Sequence, residues 1–542
     1  MNILSINSGS SSVKFAYFKY TEKKSQLINN NKKTDKSNYK SIYDINFINK
    51  IKTSGKNNKK ESLYRNDATD GVTSELPILL SLNRLYDGEI EEIGTSFSSY
   101  YYENADGKKS GKTNFANHHD ALFFIINKLI YKNININNKD EKIDIVVHRF
   151  VHGGNVFIKP LIIKPTAILN KNERLKNIKD SVFNSKLAQN TTLPSQRNTQ
   201  SAEITKAKNA DDNNNNDNNN DDDYNDNDNN KYGYDTGLYI NFPDLKKLAG
   251  LNELAPLHNP SNLLGLKTAI KLIPEAAEIC IFDTSFHSAI PDYASIYPLP
   301  IEYYEQHNIK KYGFHGISYA FISNILKLSG YKFKKMILCH LGNGASIAAV
   351  KNGKSIDTSM GYTPLEGLMM GTRTGDIDPS LSFILKNKLK FSEEELYNIY
   401  NKKSGLLGIS QKTYDVKELL KNSDYNSKLA IKMFCYRIIK YIGAYSAALN
   451  GIDALIFSGG IGENSSFIRQ EICKNLSFLG IKLNKSKNNG VTKIFGSVSK
   501  LQSLNIANSI IKLSSGKCTV LAVKTDEELM MAENALKILK IK

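Results

Sequence analysis

Two widely separated stretches of this chain share one local pattern, and that pattern limits the fold more than any other feature. Ile3-Leu4-Ser5-Ile6 runs into the small-residue turn Asn7-Ser8-Gly9-Ser10, then into a second apolar run through Val13 and Phe15. Met336-Ile337-Leu338-Cys339 runs into Gly342-Asn343-Gly344, then into a second run through Ile347 and Val350. Each reads as strand, tight turn, strand, with Gly and Asn where a hairpin needs backbone freedom. Two such hairpins opening two halves predict duplicated domains that face each other across a cleft. Elsewhere strand and helix patterns alternate, which predicts α/β architecture. A long amphipathic stretch over 427–449 ends at the helix stop Asn450-Gly451, and the apolar strand 454–457 follows at once. Asp378-Pro379-Ser380 opens another helix, with proline at an early position.

Two stretches break this alternation. Residues from about 21 to 74 are rich in Lys, Asn and Ser, and those from about 172 to 236 include a run, 209–230, almost entirely of Asn and Asp. Neither can bury enough apolar surface to offset chain entropy, so both are expected to be disordered insertions. The net charge of +18 raises the question of a nucleic-acid partner. No Lys/Arg stripe interleaved with aromatics is found in the folded-looking parts, so the charge is assigned to lysine-rich loops and no nucleic acid is expected. Five scattered cysteines without a C-x-x-C pair argue against a disulfide framework or a zinc site and suit a reducing compartment. Apolar runs such as 121–126 are too short to span a membrane, and the first residues already read as a strand, leaving no room for a signal peptide. A cytoplasmic protein is expected.

The polar motifs point to phosphate chemistry. Phosphate is held by backbone N–H groups, small side chains and cations. Residues 7–14, 340–346 and 458–464 each offer such a cradle. No G-x-x-x-x-G-K-[ST] occurs, so this is not a P-loop chain. Arg149, in His148-Arg149-Phe150-Val151-His152-Gly153-Gly154, and Arg373, in Gly371-Thr372-Arg373-Thr374-Gly375-Asp376, have short-walled settings. Both suit forked recognition of a carboxylate or phosphate. His258, Asp283 and His315 lie at strand ends or turns, where α/β active sites collect.

In order along the chain, residues 7–14, 148–154, 254–260, 282–286, 312–316, 339–346, 357–378, 404–410, 458–465 and 525–529 resemble the motifs of the acetate kinase family. The fold of that family belongs to the actin, sugar kinase and Hsp70 ATPase superfamily, so the resemblance implies two duplicated ribonuclease H-like α/β domains facing across a nucleotide cleft. It also implies reversible, Mg²⁺-dependent phosphoryl transfer from ATP to acetate, giving acetyl phosphate and ADP, by a homodimer. By the same resemblance Asn7 and Glu527 help bind Mg²⁺, and Lys14 lies near the nucleotide phosphates. Arg149 and Arg373 embrace the carboxylate and the phosphoryl group in flight. His315 donates a hydrogen bond to that group, with His258 and His340 lining the same cleft. Gly342, Asn343, Gly344, Gly460, Ile461, Gly462, Glu463 and Asn464 cradle the nucleotide, with Asp415 and Lys417 beside it. Val151, Leu257, Phe314 and Pro364 form the pocket for the acetate methyl group. An acetate nucleophile is already ionised near neutral pH, so Asp283 is expected to orient Arg149 or Mg²⁺ rather than act as a base.

The chain departs from the family in three places. The usual His-Gly-Thr-Ser-His stands here as His315-Gly316-Ile317-Ser318-Tyr319, and the usual Ser-Asp-hydrophobic-Arg as Tyr414-Asp415-Val416-Lys417. Lysine cannot fork or stack as arginine does, which puts nucleotide preference in question. Val147 and Phe150 flank Arg149 where the family has Gly and Val. Propionate kinase activity is the alternative within the family, and Val151 favours acetate over propionate. An inactive, basic nucleic-acid-binding derivative is the alternative outside it. The expected domains are 1–283 and 284–526, with 527–542 returning to the first.

Overall fold

The computed structural model describes residues 1–9, 11–21, 78–79, 81–133, 142–163, 243–497, 501, 506–539 and 541. Apart from Thr21, both expected insertions lie outside them. Both sheets described here belong to one compact unit, Met1–Pro165 with Leu248–Lys542. The second unit, Thr166–Lys247, is described only from Pro243, where a helix begins.

The first sheet has eight strands: β1 Asn2–Ser8, β2 Val13–Tyr20, β3 Leu82–Glu91, β4 Ser99–Asn104, β5 Gly107–Lys112, β6 Ile145–Phe150, β7 Leu161–Ile163 and β8 Ala277–Phe282, in the order β5-β4-β3-β2-β1-β6-β8-β7. The second has six: β9 Lys335–Leu341, β10 Ala345–Lys351, β11 Lys354–Thr358, β12 Ala454–Ser458, β13 Ile510–Lys512 and β14 Thr519–Val523, in the order β11-β10-β9-β12-β14-β13. Omitting β4 and β5, the two orders match strand for strand. In each, an antiparallel hairpin opens the half, and its first strand pairs in parallel with a later one, β1 with β6 and β9 with β12. The last strand of each order is antiparallel to its neighbour. The echo read in the sequence is therefore a duplication of the whole sheet.

Local chemistry explains the two hairpins. The Gly9 N–H donates to the Ser12 carbonyl at 2.7 Å, and the Gly342 N–H to the Gly344 carbonyl at 3.0 Å, closing turns that bulkier residues would splay. The central parallel strands are covered on both faces, which is why β8 and β12 are buried at every position and read as unbroken apolar runs. Arg149 sits inside the end of β6, Ile145–Phe150.

Helices fill in around the sheets: α1 Asn259–Leu272, α2 Gly316–Leu328, α3 Ser380–Leu389, α4 Tyr425–Ala448, α5 Gly459–Asn464, α6 Ser466–Cys473, α7 Lys485–Ser497 and α8 Glu527–Ile538. The stretch expected to be helical over 427–449 is α4, capped by Asp424, which accepts from the Ser427 N–H. None of the described helices is long and apolar enough to cross a membrane.

The C-terminal helix α8 packs against β1, β2 and β6 of the first sheet and against α2. Its start is held firmly. Asp526 caps it by accepting from the Leu529 N–H at 3.0 Å and also pairs with Arg84 on β3 at 2.5 Å. Arg84, fully buried, pairs in addition with Asp87 and lies over the Phe18 ring at 4.9 Å. This guanidinium ties the last helix to the first sheet. Replacing it strands two carboxylates in or near the interior, and breaking a buried pair from one side costs roughly 3–5 kcal/mol. We expect Arg84→Ala to lower the urea midpoint by that amount of stability, whereas a midpoint within error of the parent would mean the pair contributes nothing.

Candidate active site

The carboxyl ends of the parallel strands of both sheets open onto one cleft of about 660 Å³. Such strand ends are where open α/β sheets bind ligands. The first sheet contributes Asn7 from β1, Arg149 from β6 and, just past β8, the buried Asp283. The second contributes His340 from β9, Gly459 and Gly460 just past β12, and Lys524 and Thr525 just past β14.

Arg149 is the hub of the first half. Its Nε and Nη2 donate to Asp283 Oδ2 at 3.1 and 2.5 Å, and its Nη1 donates to Asn7 Oδ1 at 3.2 Å and faces Glu527 Oε2 at 3.5 Å. Burial pulls this guanidinium's pKa down, but Asp283 and Glu527 outweigh it and leave the pKa raised. Burial pushes the Asp283 carboxyl up from the ordinary range, with Glu527 adding to the rise and Arg149 opposing it. Arg373 is held differently. Its Nη1 donates to the Pro364 carbonyl at 3.2 Å, and no carboxylate pairs with it among the described residues. Burial lowers its pKa, as expected for a cation without a counter-ion.

The histidines form the wall between the two arginines. His315 has a left-handed backbone, φ 58°, a strained choice for a residue other than Gly, Asn or Asp. Gly316 beside it lets the turn press onto β8, since a Cβ there would lie 1.8 Å from the Asp283 carbonyl oxygen. The His315 ring stacks on His340 at 4.3 Å, and Nδ1 of each ring meets a serine at 2.8 Å, Ser346 for His315 and Ser318 for His340. Burial, His340 and both arginines drive the His315 pKa well down. Burial and Arg149 take His340 to about 4, and burial, Arg373 and Arg149 take His258 to about 3. All three rings are therefore neutral donors near pH 7.

The glycine motif over 458–464, read from the sequence as a phosphate cradle, is not a loop. It is itself the one-and-a-half-turn helix α5, followed by α6. Gly459, with φ 75°, brings it within reach of β9, where a Cβ would lie 2.8 Å from the Leu341 carbonyl oxygen. Glu463 closes the motif by accepting from the Gly459 and Thr525 N–H groups, each at 3.0 Å. Arg469, fully buried, donates to the Gly462 and Glu463 carbonyls at 2.7 and 2.9 Å and to Asn488.

Of the residues named from the sequence, the cleft brings together Asn7, Lys14, Arg149, His258, His315, His340, Gly342, Asn343, Gly344, Gly460, Glu463 and Glu527. Asp283 lies beneath them through Arg149, and Arg373 adjoins His315 beside Gly344. Val151 and Phe314 share a buried apolar cluster with Met360 and Met370, Pro364 holds Arg373, and Leu257 is half-buried before His258. Ile461, Gly462 and Asn464 belong to α5 without lining the cleft. Asp415 and Lys417 are not brought into it either: Asp415 caps a short helix, whose Val416 and Leu419 are buried, by accepting from the Lys417 N–H at 2.7 Å. Sequence reasoning missed Asp87 and Glu89 of β3, Tyr101 of β4, and Lys524. The acids alternate as strand residues do, but nothing in the sequence says which face of that strand meets a cleft.

Asn7 Oδ1 and Glu527 Oε2 converge on the same Arg149 nitrogen, and Asp283 Oδ1 is buried with no hydrogen-bond partner. Arg149 occupies the point where they meet, and no group of three or more His, Cys, Asp or Glu side chains able to hold a metal is found among the described residues, so a divalent cation would take most of its shell from water and phosphate oxygens, with Asn7 and Glu527 supplying at most two ligands.

His152 and His287 are buried outside this wall, and burial takes each to about 4. A folded-state pKa below the unfolded value of about 6.5 means that stability is complete above that pH and declines as the pH falls toward 4. We expect a loss of about 2 kcal/mol for each of these two histidines between pH 7.5 and pH 5 in urea titrations. A midpoint independent of pH over that window would contradict the burial of neutral rings.

Comparison with known proteins gives a consistent picture. The sequence profile of the Acetokinase family matches residues 79–182 and 234–533. The chain is 35% identical over 485 residues to the acetate kinase of Thermotoga maritima, covering 88% of this chain and 98% of that one. Among solved structures it superposes on Porphyromonas gingivalis acetate kinase with a TM-score of 0.64 at 28% identity, covering 99% of each chain. A propionate kinase from Francisella tularensis gives the same TM-score and identity, covering 98% of each chain.

Proposed function

From the premise that the chain belongs to the acetokinase family, we propose that its cleft transfers a phosphoryl group from ATP to acetate. The observation that carries the reading is the contrast between two half-buried arginines, Arg149 balanced by carboxylates and Arg373 with no carboxylate paired to it among the described residues. Joining a carboxylate to a triphosphate brings like charges together, and a cation with no counter-ion of its own is the group that offsets this.

Arg149, held in plane by Asp283 and Asn7, presents one edge to the cleft, and Arg373 approaches from beside Gly344. Between them His315 offers a neutral N–H to the group in transit. Acetate is ionised and needs no general base, so Asp283 serves by fixing Arg149. Asn7 and Glu527 would hold Mg²⁺, which supplies charge neutralisation between the phosphates when bound. The N–H groups and small residues of the Gly342-Asn343-Gly344 turn and of α5 give the nucleotide a close-fitting bed, with Lys14 and Lys524 across from it. Val151 and Phe314 supply apolar surface for the methyl group. Propionate adds one methylene, worth only about 1–3 kcal/mol, so overlap between the two acids is expected.

We propose further that the halves act as domains, 1–283 and 284–526 with 527–542 returning, since each has its own sheet and α8 packs on the first. A homodimer is supported by α3, which has no buried residue yet carries Leu381, Phe383, Ile384 and Leu389 exposed. A reducing cytoplasm fits five buried, unpaired cysteines.

A hydroxamate assay with ATP, Mg²⁺ and acetate, propionate or butyrate tests the reaction. We expect acyl phosphate to peak at acetate and to vanish on chelating the metal. Arg373→Ala is expected to fold normally and to lose roughly 10³-fold in kcat. No product with any acid, from folded protein that still binds ATP, would refute the reading. Light scattering should give twice the chain mass, and Phe383→Asp should halve it. A monomer in the parent protein would remove α3 as an interface.

A further inference from the structure

His315 can donate to a phosphoryl group only if the proton of its neutral ring sits on Nε2. We propose that Tyr319, one turn along α2, is the positioning residue that fixes this tautomer, acting through Ser346. The inference rests on the phosphotransfer reading for its kinetic consequence but not for its geometry.

The ring's Nδ1 meets Ser346 Oγ at 2.8 Å, and Ser346 Oγ meets the Tyr319 hydroxyl at 2.5 Å. Tyr319 and Ser346 are both fully buried. A serine hydroxyl has one hydrogen to give and lone pairs to accept with. Three arrangements of these bonds are therefore open. If Nδ1 carried the proton it would donate to Ser346, and then either Ser346 donates to the phenol oxygen and the phenol hydrogen is left buried without an acceptor, or Tyr319 also donates to Ser346 and the Ser346 hydrogen is left without one. Either omission costs about 1–3 kcal/mol. In the third arrangement Tyr319 donates to Ser346, Ser346 donates to Nδ1, and every hydrogen is satisfied. The proton then sits on Nε2, the ring nitrogen that lies 3.5 Å from a Cβ placed on Gly344, with Arg373 Nη1 3.7 Å from the same point. The tautomer thus aims its single N–H toward the point that Arg373 also faces.

The surroundings hold Tyr319 to this one role. Its ring is edge-on to His287 at 5.7 Å and to His340 at 6.5 Å, and it packs on Phe286 at 6.0 Å. Ser346 on β10 is opposite His340 on β9, so the serine is fixed by the sheet. Burial drives the Tyr319 pKa up, keeping the phenol protonated as the relay requires. The position that departs from the family pattern therefore carries a hydroxyl donor where a ring N–H is usual, and either group can start the relay.

The experiment reads the tautomer and the kinetics separately. In protein with ¹⁵N-labelled imidazoles, assigned by difference with His315→Gln, the parent should show Nδ1 unprotonated and Nε2 protonated. Tyr319→Phe keeps the ring and removes the hydroxyl. It should shift His315 toward mixed tautomers and lower kcat roughly 10- to 100-fold while leaving KM for acetate and ATP within about twofold. Ser346→Ala should shift the spectrum in the same way, and Tyr319→His, which retains a donor, should restore both readouts. A parent spectrum with the proton on Nδ1, or one that neither Tyr319→Phe nor Ser346→Ala changes, would overturn the proposal. Because the spectrum is recorded without substrate, parent protein that makes no acyl phosphate would count against the phosphotransfer reading alone.

Discussion

One guanidinium gathers the ends of the chain. Arg149 is reached by Asn7 from the first strand, by Asp283 from the end of β8, and by Glu527 from the last helix. These residues are hundreds of positions apart in sequence, yet each needs the same cation once water is excluded. A carboxylate buried without a partner is costly to keep ionised, and an arginine beside it offsets that cost. The pairings therefore fix where β1, β6, β8 and α8 stop relative to each other. Arg84 repeats the device one layer away, joining β3 to the cap of α8 through Asp526. Two buried arginines thus determine that the C-terminal helix returns to the first sheet.

Against that balanced half, Arg373 is left open. Its fixed contacts are a carbonyl and a thioether, so its charge is compensated by neither. Keeping such a group buried lowers the stability of the empty protein. The same deficit becomes favourable interaction when an anion arrives, because no counter-ion has to be displaced first. The difference between the two arginines assigns them different tasks. In the proposed reaction Arg149 would serve as a positioned surface and Arg373 would meet the incoming anion.

What could be read from the sequence was whatever is local. The hairpins were legible because their turns need Gly and Asn within a few residues, and α4 because its apolar spacing ends at Asn450-Gly451. Residues at strand ends such as Asn7 and Arg149 were legible because chemistry collects there. Roles set by packing between distant elements were not. Asp87 and Glu89 look like any alternating strand acids until the hairpin partner Lys14 and the opposite sheet are in place. Asp415 looked like a nucleotide ligand because of its motif, whereas in the fold its carboxylate caps a helix. Tyr319 read as a lost histidine, and only its distance to Ser346 on another element gives it a task.

The duplicated sheets meet the cleft with unlike chemistry, and this follows from what phosphoryl transfer demands of each side. The first sheet ends in charges and hard oxygens, which suit the cation and the carboxylate acceptor. The second ends in glycines, backbone N–H groups, the neutral His340 and a single lysine, Lys524, which can approach a triphosphate closely. If His340 or His258 were cationic at neutral pH, each would bind the anionic ground states nearly as well as the transition state, and rate would not rise. Burial, with Arg149 acting on both rings and Arg373 on His258, prevents that by holding their pKa values near 4 and 3. A neutral ring, however, has a choice of which nitrogen bears its proton, and a charged ring does not. Suppressing charge therefore creates the need to specify a tautomer, and for His315 the buried hydroxyls behind the ring meet it.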